Sequence, residues 1–148
     1  MKFSFATILS AAALIPFSLA APVADFGQAI IRYETRYDNL DARIDDLACS
    51  DGDHGLKKKG HKTLRTLMKK PDVDVGAAFG VKWNSDGCGQ CYRVMYQLET
   101  LYIIAVDRAG DGFNLSKRAF DRLTNGRAEE LGSAQVSWQI VEPKFCGI

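Results

Sequence analysis

The sequence has little net charge to attract a charged partner. It contains 19 Lys and Arg residues against 18 Asp and Glu residues, and removal of the first twenty residues, which include Lys2, leaves 18 of each. A neutral protein has no general electrostatic attraction for nucleic acid or for anionic lipid. We therefore expect neither nucleic acid nor a membrane as partner, and the balance favours an uncharged one such as a neutral polysaccharide.

After residue 20 the sequence lacks any apolar run long enough to span a membrane. Residues 3–19 are uncharged and mostly apolar, they follow Lys2, and small residues precede Ala21. This pattern is typical of a secretory signal peptide. The alternative is an uncleaved anchor, but no stop-transfer pattern follows to favour it. We expect residues 1–20 to be removed and residues 21–148 to form one secreted, extracellular domain at the cell wall.

The four cysteines lack the companions that zinc or redox chemistry would need. Cys88 and Cys91 form a CxxC motif, but there is no second CxxC and no HxxxH, and a strand-like run follows in place of a helix. In an exported chain, four cysteines predict two structural disulfides, and three pairings of Cys49, Cys88, Cys91 and Cys146 remain open. We expect no metal and no other cofactor.

Repeats, low-complexity tracts and linkers are also absent, and the remaining pattern predicts short strands with few helices. Predicted strands cover residues 30–37, 73–83, 93–98, 101–106 and 135–142, and residues 21–31 are interpreted as a leader. Predicted helical segments cover residues 38–48, 63–68 and 127–131, together with a helix between a Ser116 cap and Asn125-Gly126. Residues 49–56 and 108–114 are predicted loops. The pattern indicates a small β-barrel.

Four motifs together resemble one known family. They are CSDGDHGL at 49–56, WNSDGCGQCY at 83–92, AVDRAGDGFNLS at 105–116 and the terminal Cys146. Their order and cysteine spacing are similar to the cerato-platanin family of secreted fungal proteins, over nearly the whole mature chain. The stretch from 57 to 74 is more basic than is usual in that family, which bears on glycan preference more than on fold.

The resemblance implies a mainly β fold with short helices, a six-stranded double-psi β-barrel related to expansins. It implies the disulfides Cys49–Cys88 and Cys91–Cys146. It also implies a monomer that binds chitin or a related cell-wall oligosaccharide, loosens cell walls without hydrolysis and elicits plant defences, with a plant surface receptor as a further partner.

A sugar site needs short polar side chains for the hydroxyl groups and flat apolar surface for the ring faces. The predicted binding residues come from three loops that the resemblance brings together: Ser50, Asp51, Gly52, Asn84, Ser85, Asp107, Phe113 and Asn114. Trp83 and Tyr92 are further candidates for ring contacts. Core packing is the favoured interpretation for Trp83, Phe113 and Trp138. Asp107 would accept hydrogen bonds from sugar hydroxyls, and its alternative role is a loop hydrogen bond with Gly110 or neighbouring backbone.

Two enzymatic alternatives need residues that the sequence does not place. An inverting glycosidase needs a second carboxyl group roughly 6.5 to 9.5 Å from the first, and no motif assigns one to Asp107. A nuclease would use His54 and His61 with phosphate held by residues 57–59. We therefore expect no enzyme activity. A third alternative is a surface-active wall protein that self-assembles. The sequon that begins at Asn114 is predicted to be unmodified.

Overall fold

A closed barrel of six strands forms the centre of the molecule, in a computed structural model that describes residues 26–148. The strands are β1 (Phe26–Tyr33), β2 (Val73–Ala78), β3 (Cys91–Tyr96), β4 (Glu99–Arg108), β5 (Phe113–Leu115) and β6 (Ser133–Val141). They are ordered β1-β5-β2-β4-β3-β6 around the barrel. The β1–β5 and β2–β4 pairs are parallel and the other four are antiparallel. The predicted fold class is confirmed, whereas the predicted signal peptide lies outside the described residues.

Within residues 26–148, three short α-helices lie outside the barrel strands: α1 (Lys117–Thr124), α2 (Ala128–Leu131) and α3 (Pro143–Cys146). Helix α1 has the predicted ends. The Ser116 hydroxyl accepts a hydrogen bond from the Ala119 amide at 2.9 Å, and Asn125 adopts a left-handed conformation with φ of 54°. Within residues 26–148, no helix has both the length and the apolar character needed to cross a membrane.

The first strand begins earlier and ends earlier than the sequence predicted. Residues 26–29 were interpreted as leader, but they pair with β6, starting with Phe26 opposite Gln139. Residues Thr35–Asp38 are a 3-10 helix and not the end of a strand. The physical reason is that Asp38 caps α1, since its carboxylate accepts hydrogen bonds from the amides of Lys117 and Arg118, both at 2.9 Å.

The β3–β4 hairpin and the predicted helical run 38–48 also differ from the prediction. The hairpin between β3 and β4 turns at Gln97 and Leu98, not at residues 99–100, because Tyr96 pairs with Glu99 and Gln97 adopts the positive φ that such a turn needs. In the predicted helical run 38–48, only Ile44–Asp46 forms a 3-10 turn of its own. Its aspartate-rich sequence favours turns over a continuous helix.

Both disulfides join segments that are distant in sequence. Cys49 is bonded to Cys88 and Cys91 to Cys146, as the resemblance implies. The second bond attaches α3 to the barrel, and the first joins two polar loops outside it. At one end of the barrel, the rings of the buried Tyr92 and Phe113 and the partly buried Phe79 and Trp138 pack with centroid separations between 5.1 and 6.4 Å. We call these four residues the aromatic cluster.

Candidate functional site

The Cys49–Cys88 disulfide holds two polar loops against each other, residues 49–56 and residues 82–90, which we call the loop face. The Cα atoms of the two cysteines are 5.2 Å apart. The Cys49 amide also donates to the Val106 carbonyl of β4 at 3.2 Å. The disulfide and this bond to a barrel strand therefore fix the position of the first loop.

Asn84 connects the two loops through a hydrogen bond of its side chain. Its Oδ1 atom accepts a hydrogen bond from the His54 amide at 2.9 Å, and its backbone has a positive φ of 54°. Gly52 lies directly against it, because a Cβ atom added at Gly52 would be 2.5 Å from Asn84 Cγ. His54 Nε2 lies 3.2 Å from Asp86 Oδ1 in the same interface. The close approach of Asn84 to Gly52, together with the positive φ of +86° at this position, explains why residue 52 is a glycine.

Trp83 lies on the surface of the loop face, with 62% of its area exposed. The expectation that it belongs to the core was wrong, because its indole N–H donates to Asp51 Oδ1 at 2.6 Å and holds the ring outside the barrel. This hydrogen bond lowers the pKa of Asp51 below its ordinary value of 3.8. The Ser50 hydroxyl lies 3.4 Å from the same oxygen. The result is an exposed flat ring with a fixed N–H and a carboxylate beside it.

Ser85 has a role within its own loop. Its hydroxyl oxygen accepts a hydrogen bond from the Lys82 amide at 3.1 Å, and its carbonyl accepts one from the Cys88 amide at 2.9 Å. Ser85 remains half-exposed. Five of the predicted binding residues are therefore assembled on the loop face around Trp83. They are Ser50, Asp51, Gly52, Asn84 and Ser85.

Asp107 lies in β4 beneath the loop face and is 6% exposed. Its Oδ2 atom forms an ion pair with Arg36 and accepts a hydrogen bond from the Tyr37 hydroxyl at 3.1 Å. Its Oδ1 atom accepts hydrogen bonds from the amides of Ala48 and Arg108 at 2.9 and 2.8 Å. Burial raises the pKa of Tyr37, so its hydroxyl remains a donor at neutral pH. Asp107 therefore anchors the first loop, and its bond from the Arg108 amide matches the predicted alternative of a hydrogen bond to neighbouring backbone.

Of the remaining candidates for sugar contacts, two are buried in the core and one is half-buried on a strand. Phe113 is 0% exposed and Tyr92 is 5% exposed, both within the aromatic cluster, so neither presents a ring face to a ligand. This corrects the prediction that Phe113 contacts a sugar. Asn114 is half-buried on β5, opposite Ala77, which lies opposite Asp107 on β4. Two strand spacings, about 10 Å, separate Asn114 from Asp107.

The contacts of the charged residues do not favour the enzymatic alternatives. Asp107 uses both oxygens for protein contacts, which leaves no free base there. His61 Nδ1 contacts the Thr66 hydroxyl at 3.1 Å, while His54 contacts Asp86, so each histidine has its own partner. Burial and the charge of Lys69 lower the pKa of His61.

The three lysines that would hold phosphate, residues 57–59, already have acceptors within the protein. Lys57 pairs with Asp45, and Lys58 pairs with Asp53 at 2.7 Å. Lys59 donates to the Cys88 carbonyl at 3.3 Å. In the part of the chain that the structure describes, no group of three or more His, Cys, Asp or Glu residues is arranged to hold a metal ion.

Sequence reasoning missed the residues that hold Asp107. Arg36 and Tyr37 were assigned to a strand, and the sequence separations from Asp107 are 71 and 70 residues. No periodic or local signal connects positions so far apart. The order of the motifs placed the loops correctly, but it did not indicate what supports them.

Comparison with known proteins agrees with this architecture. The chain is 42% identical over 149 residues to the heat-stable 19 kDa antigen of Coccidioides posadasii, covering 100% of this chain and 99% of that protein. The crystal structure of cerato-platanin 3 from M. perniciosa superimposes with a TM-score of 0.77 at 36% identity, covering 82% of this chain and 100% of that chain.

A second solved structure is that of the fungal elicitor cerato-platanin. It has a TM-score of 0.67 at 30% identity and covers 79% of this chain and 95% of that chain. The sequence model of the cerato-platanin family matches residues 29–148, which include the whole loop face and nearly all of the barrel. On these grounds, the chain belongs to the cerato-platanin family.

Proposed function

We propose that this protein is a secreted, non-catalytic polysaccharide-binding protein of the fungal cell wall and its surroundings, whose ligand is chitin or a related N-acetylglucosamine oligomer. The observation that carries the proposal is the exposed Trp83 ring, fixed by Asp51 and surrounded by short polar side chains. Flat aromatic surface beside a few placed polar groups is suited to a sugar ring and its hydroxyl groups.

The fixed geometry of the loop face supports binding more than catalysis. A ring and polar groups that are already ordered lose little conformational freedom when a ligand binds. Ser50, Asp51, Gly52, Asn84 and Ser85 would contact the sugar. Asp107 has a positioning role, since its four protein contacts leave it only 6% exposed. Asn114 would lie at the margin of the contact surface.

The proposed biological roles are loosening of cell walls without hydrolysis and elicitation of plant defences. The relative with the solved solution structure is described as a fungal elicitor, and the Coccidioides relative as an antigen, and both descriptions suit proteins met by a host. We expect a monomer, with a plant surface receptor as a further partner.

The test is a titration of isotope-labelled protein with chitin oligomers. Amide signals of residues 50–52 and 83–85 should shift, and Trp83→Ala should abolish these shifts. Phe26→Ala is the matched control, because Phe26 is an aromatic residue 72% exposed outside the loop face. Shifts confined to residues 57–70 would refute the site.

A companion assay tests the absence of catalysis. The protein should release no reducing ends from chitin or cellulose. Release that disappears in Asp107→Asn would show a glycosidase instead.

A further inference from the structure

A shallow depression includes Lys82, the first residue of the second loop of the loop face. Its volume is about 300 Å³, which is the low end of the range for small-molecule sites. It lies between the turn after β2 and the end of β4. The lining residues are Gly80, Val81, Lys82, Arg108, Ala109 and Gly110. Because Lys82 precedes Trp83 and Arg108 follows Asp107, the depression adjoins the proposed sugar site.

The two cations of this depression have no acceptor among the described residues. Most other Lys and Arg side chains in residues 26–148 have one, as Arg65 does in Asp41 and Arg127 in Glu130. Lys82 and Arg108 are both exposed. Two uncompensated positive charges therefore line one small concave surface.

The neighbouring carboxylates are already committed to other cations. Asp107 forms its ion pair with Arg36, and Asp111 lies 3.1 Å from Arg32. Neither is positioned to neutralise Lys82 or Arg108. The positive charge of the depression is thus available to a ligand.

The backbone around the depression is open to an approaching group. A Cβ atom added at Gly80 or at Gly110 would meet no other heavy atom within 4 Å. A ligand can therefore reach the two cations without displacing a side chain at these positions.

We infer that this depression binds the carboxylate of an acidic sugar unit in a polysaccharide whose adjacent ring lies on Trp83. This inference rests on the proposed sugar site. A guanidinium can bind a carboxylate through two parallel hydrogen bonds, and an ammonium adds a point charge. The whole protein is close to neutral, so the pair selects a local anionic group and gives no general attraction for polyanions.

The experiment compares three trisaccharides by calorimetry and amide shifts: trigalacturonate, its fully methyl-esterified neutral form, and the chitin trimer. Trigalacturonate should bind about tenfold more tightly than its ester, since two exposed ion pairs, each of modest strength, together approach the free energy of one tenfold step. Added salt should reduce this preference but not the binding of the neutral trimers.

A pair of double variants isolates the two cations. Lys82→Ala/Arg108→Ala should lose the tenfold preference. Lys69→Ala/Arg122→Ala should keep it, because it removes the same charge from two exposed cations that also lack an acceptor within residues 26–148. Lys82→Gln/Arg108→Gln repeats the test with longer neutral side chains, in case the alanine variant folds poorly.

Each outcome separates the two proposals. Equal affinity for trigalacturonate and its ester would overturn the inference, and so would equal losses in the two double variants. If the chitin trimer moves the loop-face amides and trigalacturonate does not bind, the inference fails alone. If no trisaccharide binds, the proposed function fails with it.

Discussion

The loop face and the aromatic cluster each present a tryptophan, but in opposite surroundings. Trp83 is 62% exposed, and its N–H donates to Asp51. Trp138 is partly buried and packs against the core, with its ring centroid 5.1 Å from Phe79 and 6.0 Å from Tyr92. Its buried indole nitrogen has no hydrogen-bond partner among the described residues.

The comparison shows that different interactions order the loop face and stabilise the barrel. The loop face is ordered by a disulfide and by hydrogen bonds of its side chains, and only Cys49, Leu56 and Cys88 anchor it in the hydrophobic core. The aromatic cluster is ordered by the packing of large rings. Burial of apolar surface of this kind is the dominant favourable term in folding. A ring can therefore be available to a ligand in one region without weakening the barrel in the other.

The largest expected effect distinguishes the two regions directly. Phe113→Ala should lower the free energy of unfolding by about 3 to 5 kcal/mol, because it empties a fully buried site. Trp83→Ala should lower it by less than about 1 kcal/mol, since it removes an exposed ring. Chemical denaturation of the two variants measures both values. Similar losses would mean that Trp83 is part of the structural core.

Removal of the Cys49–Cys88 bond should have the next largest effect. Cys49→Ala/Cys88→Ala should cost about 2 to 4 kcal/mol, because the bond closes a loop between residues 39 positions apart. Amide hydrogen exchange should accelerate most at residues 50–56 and 82–87. The control is Cys91→Ala/Cys146→Ala, which should destabilise the protein without this local acceleration. The same exchange pattern in both variants would contradict a local role for the first bond.

The strands and helix ends could be predicted where the sequence has a period or a cap. Alternation at 135–142 predicted most of β6 and the inward position of Trp138, and Ser116 and Asn125 predicted the ends of α1. The hairpin boundary was shifted because a two-residue turn depends on the backbone conformation of Gln97, which is not a typical turn residue.

The loop-face contacts could be predicted only in part. Motif resemblance indicated the loops and the cysteine pairs, but composition left three pairings open. The exposure of Trp83 depends on Asp51, a loop residue 32 positions away, and loops have no period that reports which side chains face outward. The buried contacts of Asp107 come from a 3-10 helix that no local pattern predicted.

The same substitution should act differently at Asp51, which lies in the first loop, and at Asp107, which lies in β4 beneath it. Asp107→Asn should lower the free energy of unfolding by about 2 kcal/mol, because an amide cannot accept at both positions and leaves a buried donor unsatisfied. Asp51→Asn should change stability little, since Asp51 is exposed, but it should weaken glycan binding. Denaturation and the chitin titration measure the two effects. Unchanged stability in Asp107→Asn would remove its anchoring role.

The smallest effect is the acid titration of Asp51, observed through Trp83. The Trp83 N–H hydrogen bond favours the ionised carboxylate, so the pKa of Asp51 in the folded protein lies below 3.8. Its contribution to stability is therefore present at neutral pH and is lost as the pH falls through that lowered pKa. Tryptophan fluorescence should change below pH 3.8 in the wild type, and Asp51→Asn should remove the transition while Trp138 still emits. A midpoint above 3.8 would mean that Asp51 does not hold the ring, and the loop face would then resemble an ordinary mobile surface loop.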